Sequence, residues 1–257
     1  MRASLLISLV ILAFASPAKA VLGGKTDRDP DGLRQSVVWI ENSAGELCSG
    51  ALLRADLVLT AAHCMMDEAK YRVVGVDRTF RPQNIRVTAA AIHPSFEPGT
   101  TPRKQPGIDL AVLKLARPLG KQFKPFDLRT IPQIETGEMV TLAGFGVLDE
   151  NRKHTARLLR QTSLVSLGQA NSSNKVLIVT DSDKLAQTTG LGACRGDSGG
   201  PILAATQQGY RLLGIVSWSS GALRGPPSAS CGGLTAVTPL AENVPWIEKS
   251  IEVLDDL

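Results

Sequence analysis

The sequence contains few of the residues that build metal centres and membrane spans. Its three histidines, His63, His93 and His154, are scattered, and it has only four cysteines among 257 residues. Because a metal site needs several such ligands close together, the pattern predicts no metal centre and no cofactor. The apolar run from Leu5 to Phe14 is too short to span a bilayer.

The net charge of the chain gives only a weak indication of its binding partners. The formal net charge is +4, with 28 basic and 24 acidic residues. Arg2 and Lys19 lie in an N-terminal segment that we expect to be removed, which leaves 26 basic residues against 24, or +2. A mildly basic surface is typical of an ordinary globular protein. We therefore expect no nucleic-acid partner.

Residues 1–20 have the features of a secretory signal peptide. Arg2 provides a positive start, the apolar run follows, and Ala18-Lys19-Ala20 forms an A-x-A cleavage site. An uncleaved membrane anchor is the alternative, but the run is short for one. The segment predicts export to an extracellular or periplasmic compartment, with no membrane attachment once the signal is removed.

A glycine-rich stretch around Ser198 carries the strongest chemical signal. Residues 194–201 read Cys-Arg-Gly-Asp-Ser-Gly-Gly-Pro. Glycines allow tight turns and let backbone N–H groups point towards a ligand. An exposed nucleophilic hydroxyl beside an oxyanion-binding pocket requires this kind of backbone. Ser198 is therefore a candidate nucleophile.

A serine nucleophile needs a base and a group that orients the base, and the chain contains both. His63 ends the apolar stretch Leu59-Thr60-Ala61-Ala62, and Asp109 opens the apolar stretch that ends at Leu115. The order along the chain is histidine, aspartate, serine, which matches the order of chymotrypsin-type catalytic triads. The serine context and the absence of alternating helices exclude an α/β-hydrolase.

These segments resemble the three signatures of the chymotrypsin/trypsin family of serine proteases. The matching residues are 60–64 (Thr-Ala-Ala-His-Cys), 109–111 (Asp-Leu-Ala) and 196–201, with 46 residues from His63 to Asp109 and 89 from Asp109 to Ser198. The resemblance extends from Val21 to the C-terminus. It implies a secreted serine endopeptidase that acts on protein or peptide substrates.

The pattern of strands agrees with the fold that this resemblance implies. Apolar strands recur at about ten-residue spacing with turn residues between them, which is typical of an all-β sandwich or barrel. The predicted strands are 36–40, 47–53, 57–60, 72–76, 84–92, 108–115, 139–143, 159–165, 176–180, 201–204, 212–218 and 234–237. Ile247, Ile251 and Leu254 recur at i, i+4 and i+7 and predict an amphipathic C-terminal helix.

The family fold is a pair of six-stranded antiparallel Greek-key β-barrels with the active site between them and a C-terminal α-helix. On this basis residues 21–120 form the first barrel, with His63 and Asp109. Residues 121–257 form the second barrel, with Ser198 and the helix.

The resemblance also implies a role for each site residue. Ser198 attacks the scissile carbonyl, His63 acts as the base, and Asp109 orients His63. The backbone N–H groups of Gly196 and Ser198 form the oxyanion hole. Cleavage after Ala20 frees the α-ammonium of Val21, which pairs with Asp197.

No propeptide separates the cleavage site from Val21. Signal peptidase is therefore expected to make the activating cut. The alternative is signal cleavage elsewhere, followed by an ordinary activating protease.

The four cysteines of an exported chain suggest two disulfides, for which the residues alone allow three pairings. The resemblance selects Cys48–Cys64 and Cys194–Cys231. The family's calcium loop would fall near Asp67 to Asp77, but this segment is short and poor in acids, so we expect no calcium.

The expected specificity pocket departs from that of trypsin. Its base residue lies six positions before the serine and is Gly192, where trypsin has an aspartate. A basic side chain would be buried there without a partner, so we predict a preference for neutral, small or medium side chains. The resemblance implies that the substrate-binding residues are Gly192, Ala193, Arg195, Ser217, Trp218, Ser219 and Gly232.

Two further expectations concern function and partners. A catalytically silent relative that only binds a partner is the alternative function, but such relatives usually lose a triad residue or an oxyanion glycine, and here all are present. Protein inhibitors are possible partners, and a monomer is expected. The low cysteine count and the direct fusion of signal to protease domain are typical of a bacterial secreted enzyme.

Overall fold

The computed structural model describes residues 25–26, 32–65, 68–148, 150, 153–171 and 174–257. Strands dominate these residues, and one α-helix ends the chain. The predicted all-β fold of two six-stranded antiparallel barrels with a C-terminal helix is confirmed.

The first barrel closes in the order β2-β3-β4-β7-β6-β5. Neighbouring strands are antiparallel throughout, and β2 pairs with both β3 and β5. Val38, Ile40, Leu52, Val58 and Leu113 fill the interior and are almost completely buried. The strands are β2 (Val37–Asn42), β3 (Leu47–Arg54), β4 (Leu57–Thr60), β5 (Tyr71–Val76), β6 (Pro82–Ile92) and β7 (Ala111–Leu115).

The second barrel has the order β9-β10-β13-β12-β11-β8, and β8 pairs with β9 to close it. A short strand β1 (Lys25–Thr26) is added to β9, with Thr26 opposite Arg160. The barrel strands are β8 (Met139–Gly144), β9 (Arg160–Asn171), β10 (Lys175–Thr180), β11 (Pro201–Thr206), β12 (Gly209–Ser219) and β13 (Thr235–Pro239).

The two barrels share one hydrophobic cluster, which fixes the groove between them. Trp39 of β2 packs edge-on against Phe145, which follows β8, with their ring centroids 5.1 Å apart. Leu59 of the first barrel and Leu203 of the second belong to the same buried cluster. Burial of large apolar side chains contributes about 2 kcal/mol each, so this shared core holds His63 and Ser198 on facing barrels.

The C-terminal helix α1 (Val244–Asp255) docks on the first barrel. Ile247 and Leu254 are buried, as the periodicity predicts, and Ile251 is half-buried. Asp255 anchors the end of the helix by accepting hydrogen bonds from Arg54 of β3 at 2.5 Å and Lys114 of β7 at 2.9 Å.

Strand β9 is the element whose length the sequence predicted least well. It continues to Asn171, whereas the alternation of apolar residues supports it only to Val165. Gly168 adopts a positive φ of 87° opposite a register shift between Ile178 and Val179 of β10. This bulge interrupts the period-two pattern without ending the ladder.

The disulfides join Cys48 to Cys64 and Cys194 to Cys231. The first links β3 to the segment that carries His63, and the second links the serine loop to the segment before β13. Among the residues that the structure describes, no helix is long and apolar enough to cross a membrane. The predicted signal peptide and Val21 lie outside the described residues.

Candidate active site

His63 and Asp109 meet at the edge of the first barrel. His63 lies in a short 3-10 turn (Ala62–Met65) after β4, and Asp109 lies just before β7. Because β4 and β7 are paired, with Thr60 opposite Ala111, the two side chains are neighbours. Nδ1 of His63 lies 2.8 Å from Oδ2 of Asp109, and the His63 backbone N–H donates to Oδ1 at 3.0 Å.

The Asp109 side chain is completely buried, and its neighbours favour the ionised carboxylate. A third donor, the Ser217 hydroxyl of β12, bonds its Oδ2 at 2.5 Å. Burial raises the pKa of Asp109, but the charge of His63 and the hydrogen bonds from His63 and Ser217 outweigh it and hold the pKa below its usual value. An ionised Asp109 fixes the tautomer of His63 that carries its proton on Nδ1.

Ser198 lies in a tight loop that glycines make possible. Gly196 and Gly199 have φ angles of 93° and 77°, a region that favours glycine. A Cβ on Gly199 would lie 2.0 Å from Thr60 Oγ1 and 2.3 Å from the Ser49 carbonyl oxygen. The loop can therefore lie against the first barrel only because its glycines lack side chains.

The serine loop leaves two backbone donors free. Among the described residues, the N–H groups of Gly196 and Ser198 donate to no acceptor. The carbonyl groups of the loop are occupied instead, since Arg195 accepts from the Val147 N–H at 2.9 Å and Ser198 accepts from the Ser49 N–H at 2.7 Å. Free backbone donors beside a serine hydroxyl are the groups that an oxyanion site requires.

Ser49 is a site residue that the sequence alone does not reveal. Its hydroxyl donates to the Gly196 carbonyl at 2.8 Å and accepts from the Phe145 N–H at 2.9 Å. It thus ties the serine loop to both barrels. Ser49 directly follows Cys48 in the sequence, but this position does not indicate a contact with Gly196, 147 residues away.

Asp197 is the second buried carboxylate of the site, and it has no exposed surface. It accepts the N–H of Gly146 at 2.8 Å and that of Cys194 at 2.9 Å. Burial raises the pKa of Asp197 to about 6. Gly144 and Gly146 leave room for it, because a Cβ on either would lie within 2.6 Å of a carboxylate atom.

A cavity of about 630 Å³ lies between the barrels and includes both His63 and Ser198 in its lining. Among the described residues, however, no hydrogen bond joins these two side chains, and His63 Nε2 lies 3.8 Å from Cys64 Sγ. Leu47, Tyr71, Arg157 and Arg195 also line the cavity. The cavity is large enough for a peptide segment.

The predicted specificity residues lie on two neighbouring segments of the second barrel. Gly192 lies against Gly232, since a Cβ on Gly192 would be 3.4 Å from the Gly232 Cα. The N–H of Ala193 donates to Thr235 Oγ1 at 3.0 Å. The nearby Asp181 carboxylate is already used, because it accepts three backbone N–H groups, including that of Leu191 at 2.7 Å.

The end of β12 forms another wall of this region. The Arg103 guanidinium lies 5.0 Å above the Trp218 ring, and the Ser219 hydroxyl donates to the Ser230 carbonyl at 2.6 Å. The Ser217 side chain points to Asp109, so it belongs to the catalytic region as well as to the strand that we expected to bind substrate.

The remaining histidines lie away from this site. The His93 ring packs on Trp246 of α1 with centroids 4.8 Å apart, and its Nδ1 lies 2.9 Å from Ser95 Oγ. Burial lowers the pKa of His93. His154 is exposed. The family's calcium loop would fall between Asp67 and Asp77. Asp67 lies outside the described residues, and Asp77 accepts hydrogen bonds from Thr79 and Arg81.

Two β-barrels that enclose a buried aspartate–histidine pair and a glycine-rich serine loop have the architecture of a serine protease. The family model described as Trypsin matches residues 23–247. The chain therefore belongs to the trypsin family, and it is a serine endopeptidase that acts on proteins or peptides.

Comparison with individual proteins agrees with this assignment. The chain is 28% identical to trypsin iota of Drosophila melanogaster over 225 residues, which cover 82% of this chain and 83% of that protein. It is 30% identical to the trypsin of Sarcophaga bullata, with 84% of each chain covered. It is also 30% identical to the vitellin-degrading protease of Bombyx mori, over 98% of this chain and 96% of that protein.

Proposed function

We propose that this endopeptidase cleaves peptide bonds through an acyl-enzyme, with Ser198 as nucleophile, His63 as general base and Asp109 as the residue that orients His63. The observation that carries the proposal is the buried Asp109–His63 pair, joined at 2.8 Å, on the same cavity as Ser198 and two free backbone donors.

The first chemical step follows from this geometry. His63 Nε2 takes the proton of Ser198 Oγ as Oγ attacks the scissile carbonyl carbon. The resulting oxyanion accepts the N–H groups of Gly196 and Ser198. His63 then donates the proton to the leaving amine, and water repeats the sequence to release the acid product. The Ser198–His63 hydrogen bond forms when substrate binds, because catalytic hydrogen bonds are often long in the free enzyme and shorten in the substrate complex.

We further propose that the enzyme prefers neutral, small or medium side chains before the scissile bond. Gly192 supplies no charge, and the Asp181 carboxylate nearby is occupied by backbone donors. A buried lysine or arginine side chain would therefore lack a counter-ion, at a cost of several kcal/mol.

The exported, monomeric form with Val21 at its N-terminus is part of the same proposal. The α-ammonium of Val21 pairs with Asp197, and protein inhibitors bind the substrate groove. Purification of the chain from its host, followed by N-terminal sequencing, tests the cleavage after Ala20. A start at any residue other than Val21 would contradict it.

A fluorophosphonate probe tests the proposed nucleophile directly. We expect the mature enzyme to take up one equivalent of probe at Ser198, and the Ser198→Ala variant to take up none. Tandem mass spectrometry of the labelled peptide identifies the modified residue. A folded chain that does not react would instead be a silent, partner-binding relative.

Substitution of Gly192 tests the proposed specificity. Its φ is not in the left-handed region, and a new Cβ would meet only the Gly232 Cα at 3.4 Å and Thr235 Oγ1 at 3.5 Å. Gly192→Asp should therefore fit and supply the missing charge. We expect kcat/KM for substrates with Lys or Arg before the scissile bond to rise about 100-fold relative to neutral ones, since a buried ion pair is worth several kcal/mol.

Profiling of both proteins on one peptide library gives the ratio. Gly192→Ser is the matched control, because it adds a similar side chain without charge. Equal preference for basic side chains in the wild-type and Asp variants would contradict the proposed pocket.

A further inference from the structure

A buried arginine, Arg160, lies close to the buried carboxylate of Asp197. Arg160 opens β9, is 3% exposed, and donates from one terminal nitrogen to the Gly146 carbonyl at 3.2 Å and the Leu158 carbonyl at 3.1 Å. Within the described part of the chain, no carboxylate forms a direct salt bridge with it. A buried guanidinium without a counter-charge is costly.

Gly146 connects this arginine to Asp197. Its N–H donates to Asp197 at 2.8 Å, while its carbonyl accepts from Arg160 at 3.2 Å. The Asp197 carboxylate thus binds the N–H of Gly146, and the Arg160 guanidinium binds its carbonyl. Both charged groups are buried, so water does not screen their attraction. Burial lowers the pKa of Arg160 and raises that of Asp197, and the opposite charge of each group partly offsets this effect on the other.

The serine loop depends on the position of Asp197. The Asp197 side chain receives the Cys194 N–H at 2.9 Å, and its backbone carbonyl accepts the Gly200 N–H at 2.9 Å. These bonds shape the turn that leaves the Gly196 and Ser198 N–H groups free. A cation that keeps Asp197 ionised and inward therefore keeps the oxyanion site formed.

We propose that Arg160 is a positioning residue that supplies a built-in cation for Asp197 and holds the oxyanion site partly formed even without a free α-ammonium at Val21. The enzyme would then retain part of its activity with residues still attached ahead of Val21. The inference rests on the oxyanion site proposed above, and it adds a second, covalently fixed charge to the expected Val21–Asp197 pair.

The test compares each Arg160 variant in two forms, one beginning at Val21 and one carrying Gly-Ser-Gly-Ser ahead of it. The extension removes the ammonium from Val21 and leaves Arg160 in place. Arg160→Gln keeps hydrogen-bond donors for the two carbonyls but removes the charge, and Arg160→Lys keeps the charge. Arg117→Gln, at an exposed site, is the control for loss of a positive charge.

We expect the extended wild-type enzyme to keep about 1–10% of the mature kcat/KM. Arg160→Gln should lower the extended form by a further 100-fold or more, because each oxyanion donor contributes about 10²–10³ in rate. It should lower the mature form less than about tenfold, and Arg160→Lys should restore the extended form to within about tenfold of wild type.

Several outcomes would overturn the proposal: an inactive extended wild-type form, an equal loss in both forms of Arg160→Gln, or no rescue by Lys. Thermal unfolding of every variant separates lost activity from lost folding. If Arg160→Lys folds and Arg160→Gln does not, the result supports the requirement for a positive charge. Failure of the catalytic proposal itself would appear differently, as a mature wild-type enzyme that does not react with the fluorophosphonate.

Discussion

Replacing Asp109 with Asn should lower kcat about 10⁴-fold, the loss that the equivalent change produces in related triad proteases. The Asp109 carboxylate accepts three hydrogen bonds, two from His63 and one from Ser217. An amide has one acceptor oxygen and an NH₂ group that can only donate. At least one donor therefore loses its acceptor, and His63 is driven towards the tautomer that cannot take the Ser198 proton.

The measurement is steady-state kcat and KM of the mature variant at neutral pH. We expect KM to change little, because Asp109 is buried and does not reach the substrate. Asp127→Asn is the matched control, since Asp127 is exposed and bonds to Arg129 on the surface. A loss of less than tenfold in kcat for Asp109→Asn would refute the role that we propose for the pair.

Replacing Asp197 with Ala should lower kcat/KM by about 10⁴-fold or more. The change leaves the Gly146 and Cys194 N–H groups without their acceptor and leaves Arg160 as an uncompensated buried charge. The serine loop then loses the turn that frees its two oxyanion donors. Each such donor is worth about 10²–10³ in kcat, so loss of both gives the expected magnitude.

This variant should also unfold at a lower temperature, because an unpaired buried charge costs about 3–5 kcal/mol. The double variant Asp197→Ala/Arg160→Met removes the unpaired charge and should recover part of the stability without recovering activity. Calorimetry and kinetics on the two variants and on Asp127→Ala give the comparison. Near-normal turnover by a folded Asp197→Ala enzyme would contradict the role of this carboxylate in shaping the site.

The family assignment required little more than three short segments in order. The residues around His63, Asp109 and Ser198 are local signatures, and the strands that carry them have strong apolar patterns. Strands such as Leu57–Thr60, whose four residues are all buried, are predicted well because local propensity and burial agree. For the same reason the C-terminal helix was found from its periodicity alone.

The catalytic roles, by contrast, entered through resemblance. Nothing in the residues near position 217 indicates that the Ser217 hydroxyl bonds Asp109, and the family resemblance indicates Ser217 only as a substrate-binding residue. The contact spans 108 residues and joins β12 of the second barrel to the segment before β7 of the first. A period-two pattern specifies which face of a strand a residue occupies, but not which partner the other barrel presents to it.

The sequence by itself determined the family, the all-β architecture and the candidates for nucleophile, base and acid. Tertiary structure alone decided that Ser49 ties the serine loop to both barrels and that Arg160 shares Gly146 with Asp197. The reason is physical. Strand formation depends on neighbours along the chain, whereas the pairing of buried polar groups depends on where closure of two barrels places them.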